Sequence, residues 1–335
     1  MSAPDTSSLR YLAGADGRAA MPPLAERLHL AERTLIALVA DAELPPKIGV
    51  HPRPAGSFAH AMPAHLRGPR ADGADDLLGI KWIAGFPANV ARQLPAIHGL
   101  VLLTDPQTGL PRAILDAGPI TAERTAAISG VAIARFAPVS GGRPARVAIL
   151  GAGVQARSHL PILGHLLPGL ELTVFDRHPD RAAGLVVGAG QTPGIGSARA
   201  VATAREATRA ADVVVSAASF AAPADRQVLT ADWLAPDALV VAVDYATYVA
   251  ASVARAAGLF LVDQREQFLA NREAGNFEGY PDPGATIGAA ILAGTTRPEG
   301  RVLVTHLGVG LADLVFGDAI LGRAIAAGLG TLLPR

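Results

Sequence analysis

The sequence predicts an α/β protein in which a doubly wound parallel sheet follows an α+β segment. After residue 146, short apolar runs alternate with segments of helical pattern, which is typical of a parallel sheet covered on both faces. Before residue 120, strand-like runs follow one another and are separated by turn residues, which favours an antiparallel sheet. The 335 residues are enough for two domains with separate cores.

The elements of the first segment follow from these patterns. Residues 9–44 predict a short strand and then a helix, and residues 121–136 predict a helix with Thr121 as its N-cap. Residues 311–329 are apolar at helical spacing, so we expect this tail to pack onto the first domain. Apolar runs and a hairpin turn signal predict strands at residues 57–62, 78–83, 99–104 and 113–116, with the turn at 105–109.

The second segment begins after a linker-like break, Gly-Gly-Arg-Pro, at residues 141–144. We predict a first domain formed by residues 1–125 and 314–335, and a second, doubly wound domain formed by residues 126–313. The expected strands of the parallel sheet are residues 146–150, 171–176, 198–202, 212–217, 239–243 and 259–262.

Composition excludes several functional classes. Hydrophobic residues make up 50% and charged residues 17%, as in a well-buried globular protein. The formal net charge is zero, which argues against nucleic acid or a membrane as partner. Cysteine is absent and the nine histidines lack metal-ligand spacing, so we expect no metal site. The N-terminus shows no secretory signal and no apolar run is long enough for a membrane span, so a cytoplasmic location is expected.

The most informative motif is the run from Gly151 to Ala156, which follows an apolar strand and opens a helix. Its pattern is G-x-G-x-x-A. Gly151 permits a tight turn, Gly153 lets backbone N–H groups approach a pyrophosphate, and Ala156 lets helix and strand pack closely. The helix N-terminus then faces the phosphates with the positive end of its dipole. The motif predicts a Rossmann-type dinucleotide site that includes Val154 and Gln155.

Asp176 ends the next predicted strand, 25 residues after Gly151. An acidic residue there accepts hydrogen bonds from the ribose 2′-OH and repels a 2′-phosphate, which favours NAD over NADP. Arg177 follows directly and would weaken that preference, so NADP stays possible. The alternative is a strand-end aspartate that caps the next turn.

Lysine is scarce in this chain. Of 29 basic residues, only Lys47 and Lys81 are lysines. We interpret this as a coding bias toward arginine wherever charge alone matters, so a retained lysine indicates a need for a compact or titratable amine. The alternative is that the two lysines are a small remainder without function.

Four segments carry a resemblance to a known family: GIKWIAGFPAN at 79–89, PAIHGLVLLTDPQTG at 95–109, TAERTAA at 121–127 and GAGVQA at 151–156. In this order they resemble the ornithine cyclodeaminase/μ-crystallin family. The resemblance implies an N-terminal substrate and dimerisation domain, a Rossmann domain and a homodimer. It also implies hydride transfer at the α-carbon of an amino acid or cyclic imino acid.

The resemblance also implies a carboxylate-binding set. Lys81 matches the family lysine that binds the substrate carboxylate, and its neighbours Trp82, Ile83 and Phe86 would desolvate it and lower its pKa for proton donation. Arg124 matches a family arginine that can hold the carboxylate bidentately. The alternatives are an outward-pointing lysine and a helix-surface arginine.

Two positions depart from the family pattern. Lys47 stands where many relatives carry an arginine that clamps the carboxylate, and it either binds the carboxylate with different geometry or lies exposed in a loop. His60 precedes Met62-Pro63, where ornithine-deaminating relatives tend to have glutamate. His60 either contacts the substrate side chain, acts as a general acid with a pKa near neutrality, or packs in the sheet. Met62 is assigned to the substrate site.

Asp244 follows the apolar strand at 239–243, at a strand carboxyl end where nicotinamide and substrate should meet. Relatives use an aspartate in this region to bind the substrate amine and move its proton, whereas the alternative is a plain turn aspartate. His306 is unusual within a segment that resembles the family's nicotinamide-contacting stretch, and it is either a second proton donor or a strand end. The expected cofactor contacts at these strand ends are Ser216, Ala217, Val243, His306 and Gly308.

These observations predict an NAD-dependent oxidoreductase that reduces the C=N bond of an α-imino acid or cyclic ketimine, or catalyses the reverse oxidation. Lys81 and Asp244 would carry the proton chemistry. The first alternative is a cyclodeaminase that releases ammonia and recycles its NAD. The second is a cofactor-binding protein without turnover.

Overall fold

The computed structural model describes residues 8–139, 141–219, 221 and 223–334. The chain divides into two compact units, the first formed by residues 1–124 and 309–335 and the second by residues 125–308. Within the described residues, each unit has its own sheet of eight strands. The predicted fold class, a doubly wound parallel sheet plus an α+β domain, is confirmed. Residues 1–7, which form most of the N-terminal stretch on which the expected absence of a secretory signal rests, lie outside the described residues.

Most strands of the first unit follow one another directly, whereas strands and helices mostly alternate in the second unit. The strands are β1 (Ser8–Leu12), β2 (Ala42–Glu43), β3 (Ile48–Val50), β4 (Phe58–Leu66), β5 (Leu77–Gly85), β6 (Ile97–Thr104), β7 (Pro111–Asp116), β8 (Arg146–Leu150), β9 (Leu170–Phe175), β10 (Ile195–Ala200), β11 (Val213–Ser216), β12 (Leu239–Ala242), β13 (Leu259–Val262), β14 (Ala285–Thr286), β15 (Val302–Thr305) and β16 (Thr331–Pro334). The helices are α1 (Gly14–Ala19), α2 (Leu24–Ala40), α3 (Ala117–Phe136), α4 (Val154–Leu166), α5 (Pro179–Gly190), α6 (Ala204–Thr208), α7 (Ala251–Ala256), α8 (Arg265–Glu273), α9 (Ile287–Leu292) and α10 (Gly310–Ala326). Short 3-10 turns occur at Pro87–Arg92, Pro223–Asp225 and Ala231–Trp233.

The sheet of the first unit has the order β16-β1-β7-β6-β5-β4-β2, and β3 also pairs with β4. Its pairs are antiparallel, as the sequence predicts, except that β1 and β7 run parallel. Alternation along β5 points Lys81 to the same buried face as Leu77 and Gly79, and Trp82 to the opposite face. The register places Met62 of β4 directly opposite Lys81.

Helix α10 packs against β4, β5 and β6, so the expected docking of the tail onto the first domain is confirmed. Two glycines permit the close approach. A Cβ on Gly310 would lie 2.5 Å from the carbonyl oxygen of Met62, and one on Gly317 would lie 3.4 Å from the side chain of Val101. Any larger residue at Gly310 would push the helix start away from β4.

Three sequence predictions are wrong in detail. Thr121 is not an N-cap, because α3 begins four residues earlier at Ala117, after Asp116 accepts a hydrogen bond from the Gly118 N–H at 2.7 Å. Residues 9–44 contain two helices rather than one, with a break at Met21–Pro23. Strand β10 spans Ile195–Ala200, so it begins and ends a few residues earlier than the predicted strand at 198–202. Two of these errors concern an element boundary and one concerns the number of helices, and local contacts decide both.

The sheet of the second unit has the order β10-β9-β8-β11-β12-β15-β13-β14, and all its pairs are parallel. Every residue of β11, β12 and β15 is buried, as expected for strands covered on both faces. The strand order reverses direction between β8 and β11. This topological switch point opens a crevice at the carboxyl ends of the strands, where such sheets bind ligands.

Two kinds of feature are absent from the described part of the chain. None of its helices is both long enough and apolar enough to cross a membrane. Nor do three or more histidine, aspartate or glutamate side chains in that part converge as metal ligands would.

Candidate functional site

A buried ion cluster lies in the first unit, on side chains from β5, α3 and α10. Lys81 Nζ lies 2.8 Å from Asp313 Oδ1 and donates a second hydrogen bond to Thr121 Oγ1 at 2.7 Å. Arg124 Nε lies 3.2 Å from the same Asp313 oxygen. Lys81 and Asp313 are fully buried, and Arg124 is 5% exposed. Charges buried to this extent require partners, so the three groups depend on one another.

Burial and mutual attraction set the protonation of the cluster. Burial lowers the pKa of Lys81 to about 8, although Asp313 attracts the charge, and the Arg124 and Lys47 cations lower this pKa further. Burial by itself would raise the pKa of Asp313, but Arg124 and Lys81 hold it below its ordinary value. Asp313 is therefore charged. Lys81 is an ammonium that releases its proton more readily than an exposed lysine.

The cluster has one surplus positive charge, because Asp313 offsets only one of its two cations. Two of the three N–H donors of Lys81 are used by Asp313 and Thr121, which leaves a third for a ligand. The Nε–H of Arg124 is directed to Asp313, and its guanidinium has a second edge formed by the two Nη groups. Chemically, the cluster can bind a carboxylate and donate a proton.

The expected desolvation of Lys81 occurs for a different reason from the one predicted. Trp82 does not shield it, because adjacent strand residues point to opposite faces and Trp82 is 46% exposed. The core face of the sheet, together with α10, encloses Lys81 instead. The alternative of an outward-pointing lysine is wrong for the same reason, and the alternative of a surface arginine at Arg124 is wrong because that residue is buried.

Sequence reasoning missed Asp313, the counter-ion of the cluster. Its signal is present in the sequence: Asp313 is the one carboxylate in the apolar stretch Gly310–Gly317 of a buried helix. A carboxylate at such a position needs a cationic partner. Its Oδ2 atom is buried with no hydrogen-bond partner among the described residues, so the carboxylate can accept a further bond.

Of the two residues that depart from the family pattern, His60 lies on β4 and Lys47 directly precedes β3. His60 pairs with Gly49 across the two strands and stacks on Phe58 at 4.6 Å between ring centroids. Burial, helped by Lys47 and His51, lowers the pKa of His60 to about 4. His60 is therefore neutral, and the predicted pKa near neutrality for a general acid is wrong. The cation of Lys47 lowers the pKa of both His60 and Lys81.

In the second unit, the glycine motif forms the turn between β8 and α4. Gly151 has φ +94°, and a Cβ there would lie 2.6 Å from the Ala217 carbonyl oxygen, so only glycine fits. A Cβ on Gly153 would meet nothing within 4 Å, so the space beside it is open. Helix α4 begins at Val154 without a capping side chain. Its first N–H groups are thus available to an anion, and this cradle fits a pyrophosphate.

The rest of the motif supports the same turn. Ala156 is fully buried, which agrees with close helix–strand packing. Gln155 Oε1 is buried with no hydrogen-bond partner among the described residues. Asp176, after β9, accepts hydrogen bonds from the N–H groups of Ala152 and His178, each at 2.8 Å. It therefore caps the next turn, and each carboxylate oxygen keeps a lone pair for a ribose hydroxyl. Arg177 beside it is exposed.

Asp244 lies at the carboxyl end of β12, where the sequence placed it. Ser216 donates a 2.5 Å hydrogen bond to its Oδ2 atom, and the Ala218 N–H lies 3.4 Å from the same oxygen. Its Oδ1 atom is buried with no partner among the described residues. Burial raises the pKa of Asp244 to about 6, although the bond from Ser216 opposes that shift. The carboxyl can therefore exchange a proton near neutral pH.

We expect Asp244→Asn to stabilise the second unit at pH 7.5 by about 2–3 kcal/mol, but to have little effect near pH 4. A carboxyl group whose pKa is raised in the folded state lowers the free energy of unfolding of the protein as pH rises from 3.8 through 6. Urea unfolding of the wild type and of Asp244→Asn across this pH range measures the difference in their free energies of unfolding. The matched control is Asp232→Asn in the same unit, where the carboxyl pKa is lowered and the trend should reverse. A pH-independent difference for Asp244→Asn would contradict the assignment.

The remaining predicted cofactor contacts lie at the same edge of the sheet. The Val243 N–H bonds to the Ser216 carbonyl at 2.9 Å, and the Ala217 N–H bonds to that of Leu150 at 2.8 Å. His306 follows β15 directly and is 2% exposed. Gly308 has φ +77°, and its N–H donates to Asp263 Oδ2 at 2.8 Å.

Comparison with known proteins gives relatives over nearly the whole chain. The nodulation efficiency protein NfeD of Rhizobium meliloti is 32% identical over 332 residues, which span 97% of this chain and 98% of that protein. The ketimine reductase mu-crystallin of Mus musculus is 30% identical over 186 residues, 56% of this chain and 54% of that protein.

A solved structure shares the fold. The Δ1-pyrroline-2-carboxylate reductase of Thermococcus litoralis, in complex with NADH and L-proline, superimposes with a TM-score of 0.81 at 24% identity, covering 96% of this chain and 99% of that one. The model of the ornithine cyclodeaminase/mu-crystallin family matches residues 23–278. Because that match extends over more than half of the 335-residue chain, the chain belongs to the ornithine cyclodeaminase/mu-crystallin family.

Proposed function

We propose that this protein is an NAD-dependent oxidoreductase that reduces the C=N bond of an α-imino acid or cyclic ketimine to an L-amino acid, or catalyses the reverse oxidation. The observation that carries the proposal is the buried Lys81–Arg124–Asp313 cluster, whose surplus positive charge suits a substrate carboxylate. The open glycine turn suits the pyrophosphate of NAD. The ketimine reductase and the NADH-bound reductase among the relatives support this reaction class.

In the proposed site, the two hydrogens added to C=N come from different sources. The dinucleotide, when bound, supplies hydride to the α-carbon. Arg124 holds the carboxylate through its Nη edge, and Lys81 donates a proton from Nζ to the imine nitrogen and becomes a neutral amine, which its lowered pKa permits. In the oxidative direction both transfers reverse. Neutral His60 contacts the substrate side chain.

The residues around the adenosine side support NAD over NADP. Asp176 keeps a negative charge where a 2′-phosphate would lie, and a ribose hydroxyl can donate to it. Arg177 is exposed beside it, so we expect weak rather than absent use of NADP. Rates with NADH and NADPH at equal concentration test this preference.

The main alternative within the family is a cyclodeaminase that uses NAD catalytically. A reaction with L-ornithine and a small amount of NAD distinguishes the two functions. Ammonia release without net NADH would overturn the proposed reductase. Net NADH consumption with a panel of cyclic imines, and with oxo acids plus ammonia or methylamine, would support it and identify the substrate.

The second alternative, a cofactor-binding protein without turnover, is disfavoured by the ion cluster. A protein that only binds the dinucleotide does not need a buried, incompletely neutralised Lys81 and Arg124. If the full panel of imines and amino acids gave no NADH turnover while NAD bound, this alternative would replace the proposed function.

We further propose a homodimer formed through the sheet of the first unit. Trp82 of β5 and Leu100 of β6 are directly opposite each other, so they share one face of the sheet, and they are 46% and 44% exposed. A contiguous exposed apolar face of this kind is typical of an interface. We expect Trp82→Glu to convert a dimer to a monomer in light scattering, whereas Val187→Glu, at an exposed position of the second unit, should not. A monomeric wild-type protein would contradict the proposal.

A further inference from the structure

A chain of buried hydrogen bonds runs through the second unit and ends at His306. His159 Nδ1 lies 2.6 Å from the Gln155 carbonyl oxygen, and His159 Nε2 lies 2.8 Å from Ser129 Oγ. Ser129 Oγ lies 2.9 Å from His306 Nε2. The three side chains are at most 2% exposed. They join α3, the start of α4 and the carboxyl end of β15.

The chemistry of these groups determines where the hydrogens lie. A carbonyl oxygen only accepts, so His159 Nδ1 carries a hydrogen. Burial lowers the pKa of His159 to about 4, so the ring is neutral and its Nε2 has a lone pair. Ser129 must give its single hydrogen to that lone pair. Its oxygen can then only accept from His306, so His306 Nε2 carries a hydrogen.

Two consequences follow for His306. His306 is 2% exposed, and burial disfavours the charged ring. The neutral ring with hydrogen on Nε2 has a lone pair on Nδ1, so that atom is an acceptor. The hydrogen-bond chain is also closed to proton transport, because it ends at the peptide carbonyl of Gln155, which cannot take up a proton. His306 is therefore unsuited to be the second proton donor that the sequence left open.

The position of His306 indicates what it accepts from. The half of the sheet formed by β8, β9 and β10 carries Asp176, so the adenosine belongs there. The nicotinamide then belongs to the half formed by β11, β12 and β15, and His306 lies at the carboxyl end of β15, with its N–H bonded to Ala242 of β12 at 3.2 Å. The nicotinamide carboxamide is an N–H donor.

We propose that Ser129 and His159 are positioning residues that hold His306 as its Nε2–H tautomer, so that His306 Nδ1 accepts a hydrogen bond from the carboxamide of the bound dinucleotide. This inference rests on the proposed function only for the presence of a nicotinamide dinucleotide.

The tautomer is testable without any ligand. In protein labelled with 15N-histidine, we expect the ring signals that vanish in His306→Gln to show the Nε2–H form, unchanged from pH 6 to 8. In Ser129→Ala the same signals should shift toward a tautomer mixture. Signals of an Nδ1–H form, or titration of His306 near pH 7 in the wild type, would overturn the proposal.

The acceptor role is testable by binding alone. In 3-acetylpyridine adenine dinucleotide a methyl group replaces the amide nitrogen, so the N–H donor is lost and the carbonyl stays. We expect the wild type to prefer NAD by about 3- to 10-fold in Kd, the size of one hydrogen bond. Ser129→Ala should reduce this ratio toward one, and the conservative Ser129→Thr should retain it.

The matched control is Thr208→Val, which removes another fully buried hydroxyl of the same unit, one that bonds only to the carbonyls of its own helix. Its Kd ratio should equal that of the wild type. If Ser129→Ala weakened both dinucleotides equally, the role would be structural and the proposal would be overturned. If the wild type bound neither dinucleotide, the proposed function would fail, and with it the acceptor role.

Discussion

Asp313→Ala is expected to destabilise the first unit by about 3–5 kcal/mol, because it leaves two buried cations without their shared counter-ion. Lys81 and Arg124 both contact Asp313 Oδ1, at 2.8 and 3.2 Å. The lysine would respond by losing its proton more readily, which recovers only part of the loss. Urea unfolding followed by Trp82 fluorescence, in a Trp233→Phe background, reports this unit.

The matched control for this variant is Asp318→Ala on the same helix. Asp318 is 44% exposed at its side chain and pairs with Arg112 at 3.1 Å, so its loss should change the free energy of unfolding by less than about 1 kcal/mol. Asp313→Asn keeps the shape of the side chain and removes its charge. Equal unfolding midpoints for Asp313→Ala and Asp318→Ala would show that the buried cluster does not depend on its carboxylate.

Lys81→Met is expected to lower kcat for the proposed reduction by about 10²–10⁴-fold, the usual contribution of a positioned proton donor. NAD binding should be retained, because the glycine turn belongs to the second unit. Lys81→Arg should not rescue turnover, since a guanidinium does not release a proton at these pH values. Stopped-flow measurement of hydride transfer and a separate NAD titration check both parts.

The pH profile gives a second readout for Lys81. A proton donor with a pKa of about 8 must be protonated, so kcat/KM for imine reduction should fall as pH rises through 8. That limb should disappear in Lys81→Met. Lys47→Met should instead raise KM and retain the fall of kcat/KM at high pH, because Lys47 acts on the cluster by charge. A wild-type profile that is flat between pH 7 and 9.5 would remove Lys81 from the proton-donor role.

The residues of the site differ in how far the sequence could predict them. Lys81 and Arg124 were identified by lysine scarcity and by resemblance, and the structure places both on one carboxylate. Asp313 was missed because it is 189 residues from Arg124 and no local pattern links them. The predicted pKa of His60 near neutrality was wrong because this pKa depends on burial and on Lys47. Only the pairing of β3 with β4 reveals both influences.

The sequence by itself determined the two kinds of sheet, the order of their strands along the chain and the glycine turn. These depend on hydrophobic periodicity and on backbone conformations that few residues adopt, and both are local properties. Only the tertiary structure decided which charges meet. The Lys81–Asp313 pair and the Ser129–His159–His306 chain join residues far apart in sequence, and burial gives those contacts their energy and their protonation states.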